Sequence, residues 1–205
     1  MRGTSSNDWL VADAFVPDHR TQLFEARPTR WPGALYALPW GFAGLHFSPV
    51  ATGIARASID ALRELAGARI PTGSRNLLST NPQVQGWVNR ADALVAAASA
   101  YRSAVVVDVC ETINAGRPLT PEQDARWRLA ACYTTDNALE AAGLMYRAGS
   151  TTSIEEDHPL ASCWRDIQLV GQAIGLLPEI YVFSGATLLG IPTRRRAGIR
   201  EAIPA

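Results

Sequence analysis

The stretch 158–190 carries apolar residues at alternating spacings of three and four, and this pattern constrains the fold more than any other feature. Such spacing places side chains along one side of an α-helix, so the sequence predicts one long helix packed against other helices, with a kink at Pro178. A polar line of Arg165, Gln168 and Gln172 runs beside this seam and faces either a cleft or water. The members of the seam are Leu160, Cys163, Ile167, Val170, Ile174, Leu177 and Tyr181.

Two further helices are predicted in the first half of the chain. The first runs from near residue 41 to residue 68, and Pro49 is expected to kink or split its early part. The second begins near Pro82, a residue suited to the first turn of a helix. Its broad apolar stripe from Val84 to Ile113 predicts a central position in a helical bundle.

A third helix begins after Thr120 and continues to about Arg147. Thr120 is predicted to cap it, with Gln123 reaching back to the backbone of Thr120 in a capping box. The segment 149–153, rich in Gly, Ser and Thr, then interrupts the helical pattern. This segment is either a plain connector or a source of hydroxyls and free amides for an anionic ligand.

The N-terminal residues 7–17 are rich in Val, Phe and Trp and end at Pro17, which indicates a β-strand. No second strand is predicted, so its pairing partners must come from another chain or from a part of the protein absent here. The predicted fold class is all-α, an antiparallel up-and-down four-helix bundle with an N-terminal remnant β-strand and irregular extension. The predicted boundaries are 1–39 for the remnant and linker, 40–190 for the bundle and 191–205 for a polar tail.

Composition excludes several classes of function. The formal net charge is zero, with 19 basic and 19 acidic residues, so the basic excess of a nucleic-acid-binding protein is absent. The N-terminus lacks the apolar core of a signal peptide, and no apolar run reaches the roughly 18 residues of a membrane span. The three cysteines lie in apolar helical patterns, which predicts buried thiols in a reducing compartment and a cytoplasmic protein.

Metal and catalytic motifs are also absent from the sequence. His19, His46 and His158 lie in different segments without carboxylate partners at ligand spacing, so no metal site is predicted. The acidic run 155–157 precedes the predicted last helix, where negative charge stabilises a helix N-terminus, and this explanation is preferred to a catalytic base. We therefore assign no catalytic residue from the residue pattern.

Five sequence blocks occur in a fixed order that is typical of one family. They are RGTSSNDWLVADAFVP at 2–17, GIARASIDA at 53–61, NPQVQ at 81–85, PLASCWRDI at 159–167 and SGATLLG at 184–190. Together they resemble the C-terminal part of the acyl-CoA dehydrogenase superfamily, in its flavin-dependent monooxygenase-like branch. The resemblance spans nearly the whole chain and identifies the N-terminal strand as the end of the family's middle β domain.

The resemblance implies an oxidoreductase of three parts: an N-terminal helical domain, a middle β domain and this C-terminal bundle. It implies a flavin, FAD or FMN, at the junction of the parts, and bundles that assemble into a tetramer. The parts not found here would come from a companion chain. By the same resemblance, the residues expected near the cofactor or subunit contacts are Arg75, Gln85, Ser150, Thr151 and Arg165.

One departure from the family bears on catalysis. Members of this branch commonly carry a histidine eight residues after the position of Arg165, facing flavin and substrate, whereas this chain has Ala173. A second position often occupied by histidine holds Gln168. Alanine cannot donate, accept or transfer a proton, so the chain alone is not expected to be active. The alternative is a non-catalytic helical oligomerisation or binding protein derived from the family.

Overall fold

The computed structural model describes residues 8, 10–21, 33–38, 42–173, 176 and 178–191, and the chain divides into two compact units. One unit comprises Met1–Trp31 and Arg195–Ala205. Its described residues contain a single 3₁₀ turn, Asp18–Arg20, after which the Thr21 hydroxyl donates to the Asp18 carbonyl at 2.8 Å. No strand is formed in residues 10–21, and Asp13 has a positive φ of 52°. The N-terminal strand is therefore not confirmed, because a strand needs a ladder partner that the described residues do not provide.

The second unit, Pro32–Arg194, is helical in its described part. A short turn joins α2 to α3 at Leu78–Thr80, and another follows α4 at Ser150–Ile154. The predicted starts and ends of the first three long helices agree with the structure within one or two residues. The helices are α1 (Ala34–Ala37), α2 (Phe42–Ala68), α3 (Pro82–Asn114), α4 (Pro121–Ala148), α5 (Pro159–Val170) and α6 (Glu179–Leu188).

Helix α2 continues through Pro49, so the predicted split at this proline is wrong. Proline has no N–H to donate to the carbonyl four residues earlier, here that of Leu45. The Ser48 hydroxyl, which is fully buried, donates to this carbonyl at 2.7 Å. A side chain thus replaces the lost backbone donor and satisfies the acceptor.

Local capping fixes the starts of α3 and α4; the sequence predicted Pro82 in the first turn of α3 and the capping box of α4, but not the cap by Asn81. The side chain of Asn81 accepts from the Gln83 N–H at 2.9 Å, with Pro82 in the first turn. Thr120 and Gln123 form the complete capping box, with bonds of 3.2 and 3.1 Å between side chain and backbone. Each cap satisfies donors that would otherwise be orphaned at a helix start.

Helix α4, rather than α3, is the central element of this unit, which corrects the sequence prediction. It packs against α2, α3, α5 and α6, whereas α3 packs mainly against α4. The predicted apolar stripe of α3 does face inward, but the opposite side of α3 is left uncovered. The buried residues of α4 are mostly small: Ala125, Ala130, Ala131, Ala138, Ala141, Ala142 and Ala148 among others.

The core of the unit consists of two apolar clusters. The first joins α2 and the C-terminal half of α4 to Leu160 and Ile167 of α5. The second joins the N-terminal half of α4 to Val105 and Val109 of α3 and to Leu176. Trp127 is the largest fully buried side chain and belongs to the second cluster.

The predicted single helix over 158–190 is two helices, α5 and α6. Helix α5 ends at Gly171, whose N–H donates to the Ile167 carbonyl at 3.1 Å. A Cβ at position 171 would lie 2.7 Å from the Leu139 side chain, so glycine permits a close approach of the helix end to α4. Pro178 directly precedes α6 and lies between the two helices, so the kink predicted at this proline within one helix is wrong.

Helix α3 is long and apolar enough to cross a membrane by length and composition, and it is the one such helix among the described residues. The apolar window of this helix is 22% buried inside the unit. The core helix of a soluble protein meets the same criterion, so this is weak support for a span. The uncovered side of α3 is uncharged from Ala93 to Val107, and Val107 is 54% exposed.

Candidate functional site

A cleft of about 230 Å³ opens where the end of α2, the loop before α3 and the turn after α4 meet. We call it the Arg69 cleft. Its walls come from segments that are far apart in the sequence and are joined by the first apolar cluster through Leu78 and Leu160. The residues that line it are Arg69, Pro71, Thr72, Leu78, Ser150 and Thr151.

Arg69 holds the segments of the cleft together. Its Nη1 donates to the Gly149 carbonyl at 2.7 Å, and its Nη2 donates to the Thr151 hydroxyl at 3.3 Å. Its own carbonyl accepts from the Leu78 N–H at 2.9 Å. One residue therefore links α2 to the walls on both sides. The sequence reasoning missed Arg69, because its side-chain partners lie about 80 residues away along the chain.

The turn after α4 is tightly packed beside this arginine. A Cβ at Gly149 would lie 2.1 Å from Ser153 Oγ and 2.7 Å from a methyl group of Leu160, so only glycine fits there. Ser150 has a positive φ of 54°, which is uncommon for a residue with a side chain. Ser153 is fully buried, and its hydroxyl has no hydrogen-bond partner among the residues that the structure describes. This geometry directs Ser150 and Thr151 outward, into the cleft.

The structure brings together two of the five residues predicted near a cofactor, and places a third beside them. Ser150 and Thr151 line the Arg69 cleft. Gln85 does not line it, but its Nε2 donates to the Ser79 carbonyl at 2.9 Å and so anchors the turn that contains Leu78. Arg75 lies exposed in the same loop.

Arg165 lies apart from the others, exposed on α5. Within the part of the chain that the structure describes, neither Arg165 nor Arg75 forms a hydrogen bond or an ion pair. A structural ion pair between Arg165 and a neighbouring helix, the default explanation for an arginine on a bundle helix, is therefore not found there. Both guanidinium groups remain available for an anionic group.

The lining of the Arg69 cleft suits an anionic ligand. A guanidinium group carries five N–H donors, and Arg69 uses two of them within the described chain. Thr72, Ser150 and Thr151 add hydroxyl groups, and none of the six lining residues is acidic. Arginine and hydroxyl donors of this kind bind phosphate groups, while no lining side chain can act as a general base.

A polar contact joins α4 to α6 on the other side of the unit. The Tyr181 hydroxyl donates to the Asp136 carboxylate at 2.5 Å. Burial, followed by this hydrogen bond to a carboxylate, raises the pKa of Tyr181. Burial also raises the pKa of the Cys132 thiol to about 12, with Asp136 adding to the effect. The Tyr181 hydroxyl and the Cys132 thiol are thus held in their neutral forms, so the contact between α4 and α6 is structural.

Ala173, the position of the family histidine, lies just beyond the end of α5. Its half-buried side chain packs against the second apolar cluster. Gln168 is half-buried on α5 and forms no hydrogen bond within the described residues. The structure thus places no proton-transfer group at either position.

His158 has a structural role at the start of α5. His158 caps α5, and its Nδ1 accepts from the Leu160 N–H at 3.2 Å. The acidic run before it is exposed and supplies no cap. In the residues that the structure describes, no group of three or more His, Cys, Asp or Glu side chains could hold a metal ion.

Comparisons with known proteins match the chain to one family. Residues 45–176 match the family described as acyl-CoA dehydrogenase, C-terminal domain. The chain is 29% identical over 196 residues to an indole-3-acetate monooxygenase of Pseudomonas putida, covering 93% of this chain and 49% of that protein. It is 32% identical over 180 residues to a pigment production hydroxylase of a Rhodococcus species, covering 83% of this chain and 46% of that protein.

Solved structures agree with the sequence matches. The 3-HSA hydroxylase from Rhodococcus sp. RHA1 superimposes with a TM-score of 0.81 at 25% identity, covering 90% of this chain and 50% of that one. XiaF from Streptomyces, solved with FADH2 and glycerol, has the same fold with a TM-score of 0.80 at 19% identity. The chain spans about half the length of these relatives. The family match runs from α2 to Leu176 of the second apolar cluster and covers more than half of the chain. The chain therefore belongs to the acyl-CoA dehydrogenase family as its C-terminal helical domain.

Proposed function

We propose that this chain is the C-terminal helical part of a flavin-dependent monooxygenase, acts in the cytoplasm and forms one wall of the flavin and substrate pocket. The observation that carries the proposal is the family match over residues 45–176, together with relatives named as monooxygenases or hydroxylases over more than four-fifths of the chain. A bound flavin, FAD or FMN, would supply the oxygen chemistry. The chain itself would bind and orient the flavin and the substrate, and we assign no catalytic residue to it.

The Arg69 cleft is the proposed contact with the flavin. Its guanidinium and hydroxyl donors fit a phosphate-bearing cofactor. Its volume of about 230 Å³ is smaller than the roughly 300–1,000 Å³ of complete ligand pockets, so it would hold only part of a flavin. We assign cofactor contacts to Ser150 and Thr151 in the cleft, to Arg75 and Gln85 near it, and to Arg165, which lies apart on α5.

The remaining surface of the pocket would come from a second polypeptide segment. We propose a companion chain carrying the other family domains, against which the predicted N-terminal strand at 7–17 would pair. Residues 1–39 would form the remnant of the middle β domain and the linker, and residues 191–205 would form a polar tail. The helices of residues 40–190 would form the antiparallel four-helix bundle, with α5 and α6 together in the fourth place.

We also propose that the chain self-associates through the uncovered side of α3. The assembly that the family resemblance implies is a tetramer. Exposed residues at positions 93, 97, 100, 104 and 107 follow one another at spacings of four and three, which is the spacing of a helix–helix seam. Four of the five are alanine and the last is Val107. Small side chains allow two helices to approach closely, and an uncharged strip of four turns is unusual on a helix that faces water.

Reduced-flavin binding tests the proposal. The chain would be co-purified with a companion polypeptide carrying the other family domains, and FAD and FMN binding measured by anaerobic equilibrium dialysis. We expect a stable complex in which Arg69→Met weakens flavin binding at least tenfold. The control Arg63→Met removes an arginine that is 71% exposed on α2, six residues before Arg69, and should change nothing. A complex that binds no flavin, or equal losses in both variants, would contradict the assignment.

A second candidate function is a non-catalytic helical oligomerisation protein derived from the family. The observation that favours it is Ala173, which packs in an apolar cluster where branch members carry a histidine. Under this reading Ala173→His in the complex does nothing to flavin-dependent oxygen consumption. A gain of flavin-dependent oxygen consumption in that variant would favour the first proposal, that the chain is part of an enzyme. The mass of the chain alone in solution would report self-association under either proposal.

A further inference from the structure

A second cleft lies between α3, α4 and α5 and shares no lining residue with the Arg69 cleft. We call it the Trp164 cleft. Its volume is about 410 Å³, which falls within the range of about 300–1,000 Å³ for small-molecule sites. Its walls are apolar and aromatic, from Trp87, Leu139 and Trp164, and its charged side chains are Arg90, Glu140 and Arg147.

The aromatic wall formed by Trp164 is held in place. The indole stacks on the Tyr146 ring, with centroids 5.4 Å apart and an angle of 23° between the planes. Gly143 lies against its inner edge, where a Cβ would come within 3.3 Å of the indole. The absence of a side chain at Gly143 therefore lets the indole approach α4 closely. A flat, preformed aromatic surface of this kind favours stacking of another planar ring.

The charges in the cleft are unequal. Arg90 and Glu140 form an ion pair between α3 and α4 at 2.5 Å and neutralise each other. Arg147 is exposed near the end of α4 and has no ion pair or hydrogen bond among the described residues. The cleft therefore has one uncompensated positive charge beside two indole rings. A guanidinium group binds a carboxylate through two parallel hydrogen bonds.

From this arrangement we propose that the Trp164 cleft binds a planar aromatic carboxylate, with its ring on Trp87 and Trp164 and its carboxylate on Arg147. The single negative charge of such a ligand matches the single uncompensated arginine. The tryptophans supply apolar area that an aliphatic anion would use less well. The site is independent of the flavin cleft, and its test requires neither flavin nor a companion chain.

Isothermal titration of the full chain with 1-naphthoate tests the proposal. Saturable binding at one site is expected, and both 1-naphthylmethanol and cyclohexanecarboxylate should bind at least tenfold more weakly. Gly143→Leu should abolish naphthoate binding, because its side chain would displace the Trp164 indole that forms the aromatic wall. The matched control Gly53→Leu, at an exposed helical glycine with no atom within 4 Å of its Cβ, should leave it unchanged.

Surface variants keep the test decisive if Gly143→Leu folds poorly. Arg147→Gln should weaken naphthoate binding about tenfold, whereas Arg63→Gln should not alter it. Glu140→Gln should tighten binding several-fold, because it frees Arg90 from its ion pair. The proposal is overturned if naphthoate shows no saturable binding, if the neutral alcohol binds equally well, or if Arg147→Gln and Glu140→Gln leave the affinity unchanged.

Discussion

Replacing Gly149 by alanine tests the packing on which the Arg69 cleft depends. The new Cβ would lie 2.1 Å from Ser153 Oγ and 2.7 Å from a methyl group of Leu160, and both of these side chains are buried. Leu160 belongs to the first apolar cluster, so its side chain cannot move without displacing that cluster. Overpacking of this type costs about 1–3 kcal/mol, and we expect Gly149→Ala to lower the free energy of unfolding by about 2 kcal/mol.

The variant Gly53→Ala is the matched control, with an expected change of opposite sign. Gly53 is exposed in the interior of α2, and a Cβ there meets no atom within 4 Å. Alanine is favoured over glycine in a helix interior by about 0.5–1 kcal/mol, so Gly53→Ala should stabilise the protein. Both free energies would be measured by urea unfolding followed by circular dichroism at 222 nm. With a slope of roughly 2 kcal/mol/M, the Gly149→Ala midpoint should fall by about 1 M.

A double-mutant cycle identifies the cause of the loss. Ser153→Ala removes a buried hydroxyl that has no partner in the described part of the chain, and it should raise stability by up to about 1 kcal/mol. The same change removes the nearer of the two clashes with a Cβ at position 149. Gly149→Ala should therefore cost about 1 kcal/mol less in the Ser153→Ala background. Equal costs in both backgrounds, or a Gly149→Ala protein as stable as Gly53→Ala, would refute the reasoning.

Three more predictions concern the ends of α5 and the contact between α4 and α6. Because the pKa of Tyr181 is raised in the folded protein, its hydroxyl stabilises the fold fully below the unfolded pKa of 10.0. This stabilisation is lost as the pH rises through the pKa of the folded state. Unfolding midpoints measured at increasing alkaline pH should therefore fall less steeply in Tyr181→Phe than in the unchanged protein. His158→Ala should lower stability by about 1 kcal/mol in urea melts, because the Leu160 N–H loses its acceptor, and His158→Asn should restore most of that loss. Cys132 is 1% exposed and its thiol pKa is raised to about 12, so a disulfide reagent at pH 8 should label it only after urea is added. Rapid labelling of all three thiols in native protein would contradict the buried position of Cys132.

Features governed by neighbours in the sequence could be predicted, because their causes are local. The capping box of Thr120 and Gln123 and the proline after Asn81 need only a few consecutive residues, and the structure has both. The family blocks added the expectation for Ser150 and Thr151, which line the cleft.

Features set by distant contacts could not be predicted from the pattern. Glycine is common at helix ends, but the close approach of Gly171 at the end of α5 to Leu139 of α4 is not signalled by any neighbouring residue. Arg69 binds a carbonyl about 80 residues away. The apolar pattern also favoured α3 as the central helix, since its residues are larger and more hydrophobic, whereas α4 is central because its alanines allow neighbours to approach.

The division of the core into two clusters separates the local stability of the two ends of the unit. No buried residue is shared between the cluster that contains Leu78, Ala148 and Leu160 and the cluster that contains Trp127 and Leu176. The walls of the Arg69 cleft belong with the first, and the segment that leads to α6 belongs with the second. The region near α6 can therefore open as its own cooperative unit while the cleft stays formed. In terms of hydrogen exchange, amides of α6 would lose protection at a lower opening free energy than amides of the C-terminal half of α4.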